Sequence, residues 1–154
     1  MLAGAACLCF AACKKDSGGG SGKAETLEQG RWQLTALTVN YGIGDMNVLS
    51  SVDACQQDNL YTFNADKTIT TDEGASKCNS SDPQTTTDGN WALSSGDTKI
   101  QLSGSSLTAG YGNIEGDIVT LTNTTFQVKK DTTVSFPGAP SFTGTVKLTF
   151  TNTK

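Results

Sequence analysis

The sequence contains no histidine. That absence excludes Ser/His/Asp and Cys/His catalysis, histidine metal ligation and histidine-based pH switching. Basic residues are few, 11 Lys and Arg against 15 Asp and Glu, for a net charge of −4. A phosphate-tracking surface needs the opposite balance, so nucleic acid is excluded as a partner. Proline is scarce, 3 residues in 154, whereas Thr, Ser and Gly number 23, 14 and 17. Such a composition suits short strands joined by tight turns. The length suits one domain with a sizeable core.

No stretch is long and apolar enough to span a bilayer. Leu2 to Ala12 form an uncharged run of eleven small and apolar residues. As a helix this run would measure about 16 Å, against a hydrocarbon core of about 30 Å. A secretory h-region fits that length. The run ends at Cys13, followed at once by Lys14, Lys15 and Asp16, and then by the Gly/Ser-rich coil Ser17–Gly22. Ala11-Ala12-Cys13 resembles the cleavage box of a bacterial lipoprotein. The resemblance implies removal of residues 1–12 and a diacylglycerol thioether on Cys13, with residues 13–26 as a flexible tether. Each buried CH₂ of the acyl chains contributes about 0.8 kcal/mol, enough for stable anchoring with two chains or more. The expected location is the cell envelope, at the outer membrane.

Five cysteines then reduce to one pair. If Cys7 and Cys9 leave with the signal and Cys13 is lipidated, Cys55 and Cys78 remain. In an exported chain the simplest reading of such a pair is a disulfide, worth about 3 kcal/mol on the chain-entropy model. A metal site is the competing reading, but it lacks Cys-x-x-Cys spacing.

Residues 27–154 read as one all-β domain. Thr145–Thr151 alternates strictly, placing Val146, Leu148 and Phe150 on one sheet face. Comparable runs occupy Arg31–Val39, Asn59–Phe63, Lys67–Asp72, Asp88–Leu93, Lys99–Leu102, Ile114–Leu121 and Thr125–Lys130, giving eight strands. Asn64–Lys67, Ser94–Asp97 and Thr122–Thr124 read as hairpin turns. Gly116 suggests a bulge or a break in its strand. Asp45–Cys55 is the one segment with helical spacing, through Met46, Leu49 and Val52. Gly74–Thr86 and Thr132–Thr143 read as long loops. Sequential hairpins favour an eight-stranded antiparallel up-and-down barrel over a sandwich, and closure removes exposed edges.

Gly30-Arg31-Trp32 on the first strand resembles the Gly-x-Trp signature of lipocalins. Further matching features are Cys55-x-x-Asp58-Asn59-x-Tyr61-x-Phe63, the Asp66-Lys67-Thr68 turn, Cys78 and Gly89-Asn90-Trp91. With the hairpin from Ile118-Val119-Thr120-Leu121 to Phe126-Gln127-Val128, they make the chain similar to the lipocalin-like domain of Gram-negative bacterial lipoproteins. The resemblance implies a small lipocalin-like barrel with a Cys55–Cys78 bond and no catalytic machinery.

Residue chemistry beyond the resemblance is thin. Asp72-Glu73, beside Gly74, read as a solvated loop, and if the strand continues their carboxylates point to opposite sides, whereas general acid/base work needs convergent groups. Asp58, Asp66, Asp82 and Asp88 adjoin turn residues and suit bonds to their own backbone. No catalytic residue, metal ligand or cofactor site is expected. Tyr61 and Phe63 share one strand face, and core packing is the commoner role for them and for Trp32 and Trp91. The candidate ligand-lining residues are Trp91, Tyr61 and Phe63. The expected function is binding of a small hydrophobic ligand without catalysis, alongside membrane attachment through Cys13. The alternative is a filled barrel that engages an envelope protein partner through its loops.

Overall fold

A computed structural model of the protein describes residues 22–104, 107, 112–134 and 142–154. The signal segment, Cys13 and the Pro137–Pro140 stretch lie outside the described residues. The chain starts with a helix, α1 (Gly22–Gln29), followed by nine strands: β1 (Trp32–Asn40), β2 (Asp45–Asn47), β3 (Leu60–Phe63), β4 (Thr68–Asp72), β5 (Thr85–Ser94), β6 (Lys99–Ser103), β7 (Ile114–Leu121), β8 (Thr125–Val134) and β9 (Phe142–Asn152). Strands β3 to β9 pair in chain order, and β1 pairs with both β3 and β9. Eight strands thereby close into an antiparallel barrel, to which β2 adds a short flap on β1. All eight strands anticipated from alternation are present.

Closure follows from period-two patterning. On β1, Trp32, Leu34, Leu37 and Val39 are buried, and on β9 Val146, Leu148 and Phe150 are buried opposite them. The step from Leu34 to Leu37 is three residues because Thr35 bulges out of the β1–β9 ladder. Similar bulges at Asp88 and Val119 turn β4–β5 and β7–β8. Each adds local twist, which a small closed barrel requires.

An aromatic cluster fills one half of the interior. Phe126 is its hub, stacked on Phe150 at 5.4 Å and meeting Trp32 and Phe63 edge-on at 6.0 and 5.9 Å. Burying each such ring contributes roughly 1.5–3 kcal/mol, with edge-on pairs adding about 0.5–1.5 kcal/mol. Helix α1 covers this end of the barrel with Ala24 and the fully buried Leu27, and the Trp32 indole N–H donates to the Leu27 carbonyl at 2.9 Å. Lys67 pairs with Glu28 at 2.9 Å, and Lys154 donates to the Gln29 carbonyl at 2.8 Å. Gly30 is needed where the chain turns in from α1, because an added Cβ would overlap the Trp32 indole.

Five expectations change in detail. The tether segment read through residue 26 contains the start of α1, since Ala24, Glu25, Leu27 and Glu28 are good helix formers. Asp45–Cys55 is not an α-helix: Asp45–Asn47 pairs with the end of β1, and two 3₁₀ turns follow at Leu49–Ser51 and Ala54–Gln56. Of the helically spaced residues, Leu49 and Val52 pack against the core with Val48, whereas Met46 is exposed. The Gly74–Thr86 loop is shorter than expected, because Thr85 already pairs with Asp72. The Thr132–Thr143 loop is also shorter, with Val134 pairing Phe142 across an extended β8–β9 ribbon. Gly116 neither bulges nor breaks β7. It stays in register with Ile100, and its missing side chain admits β8.

A Cβ at Gly116 would lie 2.6 Å from the Lys129 carbonyl oxygen and 2.7 Å from Val128 Cγ1. Gly116→Ala is therefore expected to lose about 1–3 kcal/mol by overpacking. Urea unfolding should show a lower midpoint with the slope unchanged. A midpoint equal to wild type would contradict the close β7–β8 approach.

Candidate functional site

With α1 covering one end, the longer connections gather at the other. The disulfide anticipated from the sequence is present there. Cys55 of the second 3₁₀ turn is joined to Cys78 of the β4–β5 connection, with their Cα atoms 5.0 Å apart. The same connection is fastened by Asp58, whose Oδ2 accepts the N–H groups of Ala75 and Ser76 at 2.9 and 3.0 Å. Beside it, Asp72 accepts from Gln84 Nε2 at 2.7 Å and from the Gly74 N–H at 3.0 Å, and pairs with Arg31. β4 ends at Asp72, so Glu73 begins the connection, where its N–H donates to the Gln84 carbonyl. Among the described residues no group of three or more His, Cys, Asp or Glu side chains is placed to hold a metal ion.

A cleft of about 760 Å³ runs along β6, between β5 and the start of β7. Trp91, Ala92, Leu102 and Ile114 form its apolar wall. Asn90, Gln101, Ser103 and Asn113 bring neutral hydrogen-bonding groups, and Lys99, Glu115 and Lys130 bring charge. Small side chains on the outward rows of β5 and β6, Ala92 and Ser103, help make the hollow. Lys99 is held by Asp117 at 2.6 Å. That contact raises the lysine's pKa and lowers that of Asp117.

The three candidate lining residues occupy different places around this cleft. Trp91 is part of its wall, with its ring buried and its indole N–H donating to the Asn64 carbonyl at 3.0 Å. The Lys67 ammonium sits over that ring, 3.9 Å from its centroid. Phe63 stands behind Trp91, edge-on at 5.7 Å, and Tyr61 lies deeper, edge-on to Phe150 at 6.2 Å. Tyr61 and Phe63 are buried in the aromatic cluster rather than placed on the cleft wall. The sequence reading passed over Lys130. The signal was available: Phe126 and Val128 are inward positions of β8, and the next position of that parity is a lysine.

The Asp72 contacts carry a pH signature. Hydrogen bonding from Gln84, then from the Gly74 N–H, and the Arg31 charge hold its carboxyl below the ordinary 3.8, against the opposing effect of burial. A carboxyl depressed in the folded state contributes stability that is complete above its unfolded value and disappears as pH falls through the folded one. Asp72→Asn should therefore be less stable than wild type near about pH 7, but lose less of its urea midpoint between about pH 5 and about pH 2. Parallel pH curves for the two proteins would contradict this.

No curated protein sequence matches the chain. A family match is found over residues 29–128, a span that contains the Gly30–Trp32 entry, both disulfide cysteines and the cleft-forming strands β5 to β7. A closed eight-stranded barrel entered through a glycine packed on a buried tryptophan, together with that match, shows that the chain belongs to the lipocalin-like domain family.

Proposed function

We propose that the protein is an exported, lipid-anchored carrier that holds a small, partly apolar molecule in the cleft along β6 and catalyses no reaction. The observation that carries this reading is the cleft itself. Its volume of about 760 Å³ falls within the range of small-molecule pockets, roughly 300–1,000 Å³. Its wall joins apolar Trp91, Leu102 and Ile114 to the amides of Asn90, Gln101 and Asn113. Binding would remove the apolar part of the ligand from water, while a few amide hydrogen bonds fix its orientation. Phe63, backed by the aromatic cluster, would keep Trp91 rigid, so little ordering would be needed on binding.

The anchor in this reading is a diacylglyceryl thioether on Cys13, at the outer membrane of the envelope. Support comes from the charge switch after Ala12 and from the Gly/Ser coil leading to α1. Because α1 covers the aromatic end, a tether there would leave the disulfide-linked end facing away from the lipid.

A second reading has one observation in its favour. The β1–β2 hairpin exposes Tyr41, Ile43 and Met46, with Ile43 83% accessible. Gly42 and Gly44, at φ +91° and +114°, flank it in backbone that L side chains rarely adopt. Such a tip could dock an envelope protein while the barrel stays ligand-free.

Native mass spectrometry of the protein released from its own envelope separates the two. The carrier reading expects the added mass of a diacylglyceryl group on Cys13, plus a second, non-covalent mass that is lost on organic extraction. A lipidated protein with no non-covalent mass, and with a co-purifying protein whose capture Ile43→Asp abolishes, would establish the second reading instead.

A further inference from the structure

We propose that a hollow between β1 and the disulfide-tied turns is a second binding site, one that takes an alkylammonium group. It is separate from the cleft along β6, and the inference does not depend on the carrier reading. The hollow measures about 440 Å³ and is lined by Gln33, Leu49, Ala54, Gln57, Asp58 and Ser76, among others. Trp32 and Leu34 are buried, so Gln33 between them belongs to the outward row of β1. Leu49 and Ala54 come from the two 3₁₀ turns, and Ser76 comes from the β4–β5 connection. The Cys55–Cys78 bond joins the second turn to that connection, which fixes the walls before any ligand arrives.

The hydrogen bonds around the hollow leave it with acceptors. Gln33 Nε2 donates to the Gln57 carbonyl at 3.0 Å, and Gln57 Nε2 donates to the Val52 carbonyl at 2.8 Å. A backbone carbonyl only accepts, so each contact orients its amide and leaves the amide oxygen uncommitted. Asp58 adds a carboxylate. Its Oδ2 serves the Ala75 and Ser76 N–H groups, whereas its Oδ1 is buried with no hydrogen-bond partner. A buried acceptor left so is costly, and more so when it carries charge. The cations next to the hollow in sequence are engaged elsewhere: Arg31 pairs with Asp72, and Lys77 Nζ donates to the Asp82 carbonyl at 2.6 Å.

Those oxygens define the ligand by complementarity. Two amide oxygens and one carboxylate oxygen call for a donor with positive charge, and an ammonium carries three N–H donors and no acceptor. Leu49 and Ala54 offer apolar surface beside them, which suits the methylene stem of an alkylammonium. A bare metal ion would use none of that apolar surface, and the hollow is far larger than one ion needs. A free alkylamine and the lysine side chain of a partner protein share this chemistry.

The test is an NMR titration of the whole chain with butylammonium, butanol and calcium chloride, at neutral pH and low salt, read at the side-chain amides of Gln33 and Gln57. Butylammonium is expected to shift both signals saturably and to bind roughly tenfold more tightly than butanol, the scale of a hydrogen bond to a charged group. Asp58→Asn keeps one oxygen for the Ala75 and Ser76 N–H groups but removes the charge, and it should erase that preference. A blocked glycyl-lysyl-glycine peptide binding more tightly than butylammonium would support the inference with a partner's lysine as the source. The reverse order would support it with a free amine. Absence of a saturable shift, equal affinity for butylammonium and butanol, or a preference that survives in Asp58→Asn would overturn it. So would calcium moving the same signals at lower concentration than butylammonium. The wild-type comparison decides the matter even if Asp58→Asn does not fold, and none of these outcomes bears on the cleft along β6.

Discussion

The Trp32 indole, held between α1 and the Phe126 ring, is the contact on which the remaining architecture depends. Its N–H is satisfied by the Leu27 carbonyl, so the largest side chain of the core is buried without an unpaired donor. Its edge-on contact with Phe126 brings β8 against β1 through the barrel interior. Its backbone pairs with Tyr61 on one side and Asn152 on the other. One residue thus stands at the junction of three strands, where a sheet becomes a barrel. The glycine two positions earlier follows from the same contact, because no side chain fits against that indole. The Gly-x-Trp pattern is therefore a packing requirement.

Filling one half of the barrel with rings has a consequence for the rest of the molecule. A protein with few aromatics that gathers Trp32, Tyr61, Phe63, Trp91, Phe126 and Phe150 into one half has little left to fill elsewhere. The other half is filled by aliphatic side chains such as Leu37, Val39, Leu102, Ile114 and Val146, and is fastened by the Cys55–Cys78 bond and by carboxylates that accept backbone N–H groups. The cleft along β6 combines both characters. Its apolar wall is the outer limit of the aromatic cluster, reached through Trp91, and its polar groups come from outward rows and from the place where β7 and β8 part.

Alternation made the eight strands legible, because a buried sheet face imposes a period of two that few other structures tolerate. The hairpin turns were legible for an equally local reason. Ser95, Gly96 and Asp97 all adopt positive φ, as does Lys67, in segments rich in the small polar residues such turns select. The features that escaped are set by tertiary contacts. Met46, Leu49 and Val52 keep a helix-like spacing, yet pairing with the end of β1 draws Asp45–Asn47 into a strand. Gly116 reads as a strand breaker, but the near approach of Lys129 and Val128 is what requires it. Of the candidate site, Trp91 could be picked out as a large ring on a strand near a turn, whereas Tyr61 and Phe63 share its chemistry but lie deeper.

Stability resides in the aromatic half, where the rings of Trp32, Phe126 and Phe150 meet, and falls off toward the open strand ends. Native-state amide hydrogen exchange tests it most directly. The slowest exchange is expected at the paired amides around Trp32, Phe126 and Phe150, approaching the rate set by global unfolding. Amides at the open ends of β5, β6 and β7, near Asn90, Ser103 and Ile114, should exchange through smaller openings. Uniform protection around the barrel, or the strongest protection beside the cleft, would contradict it.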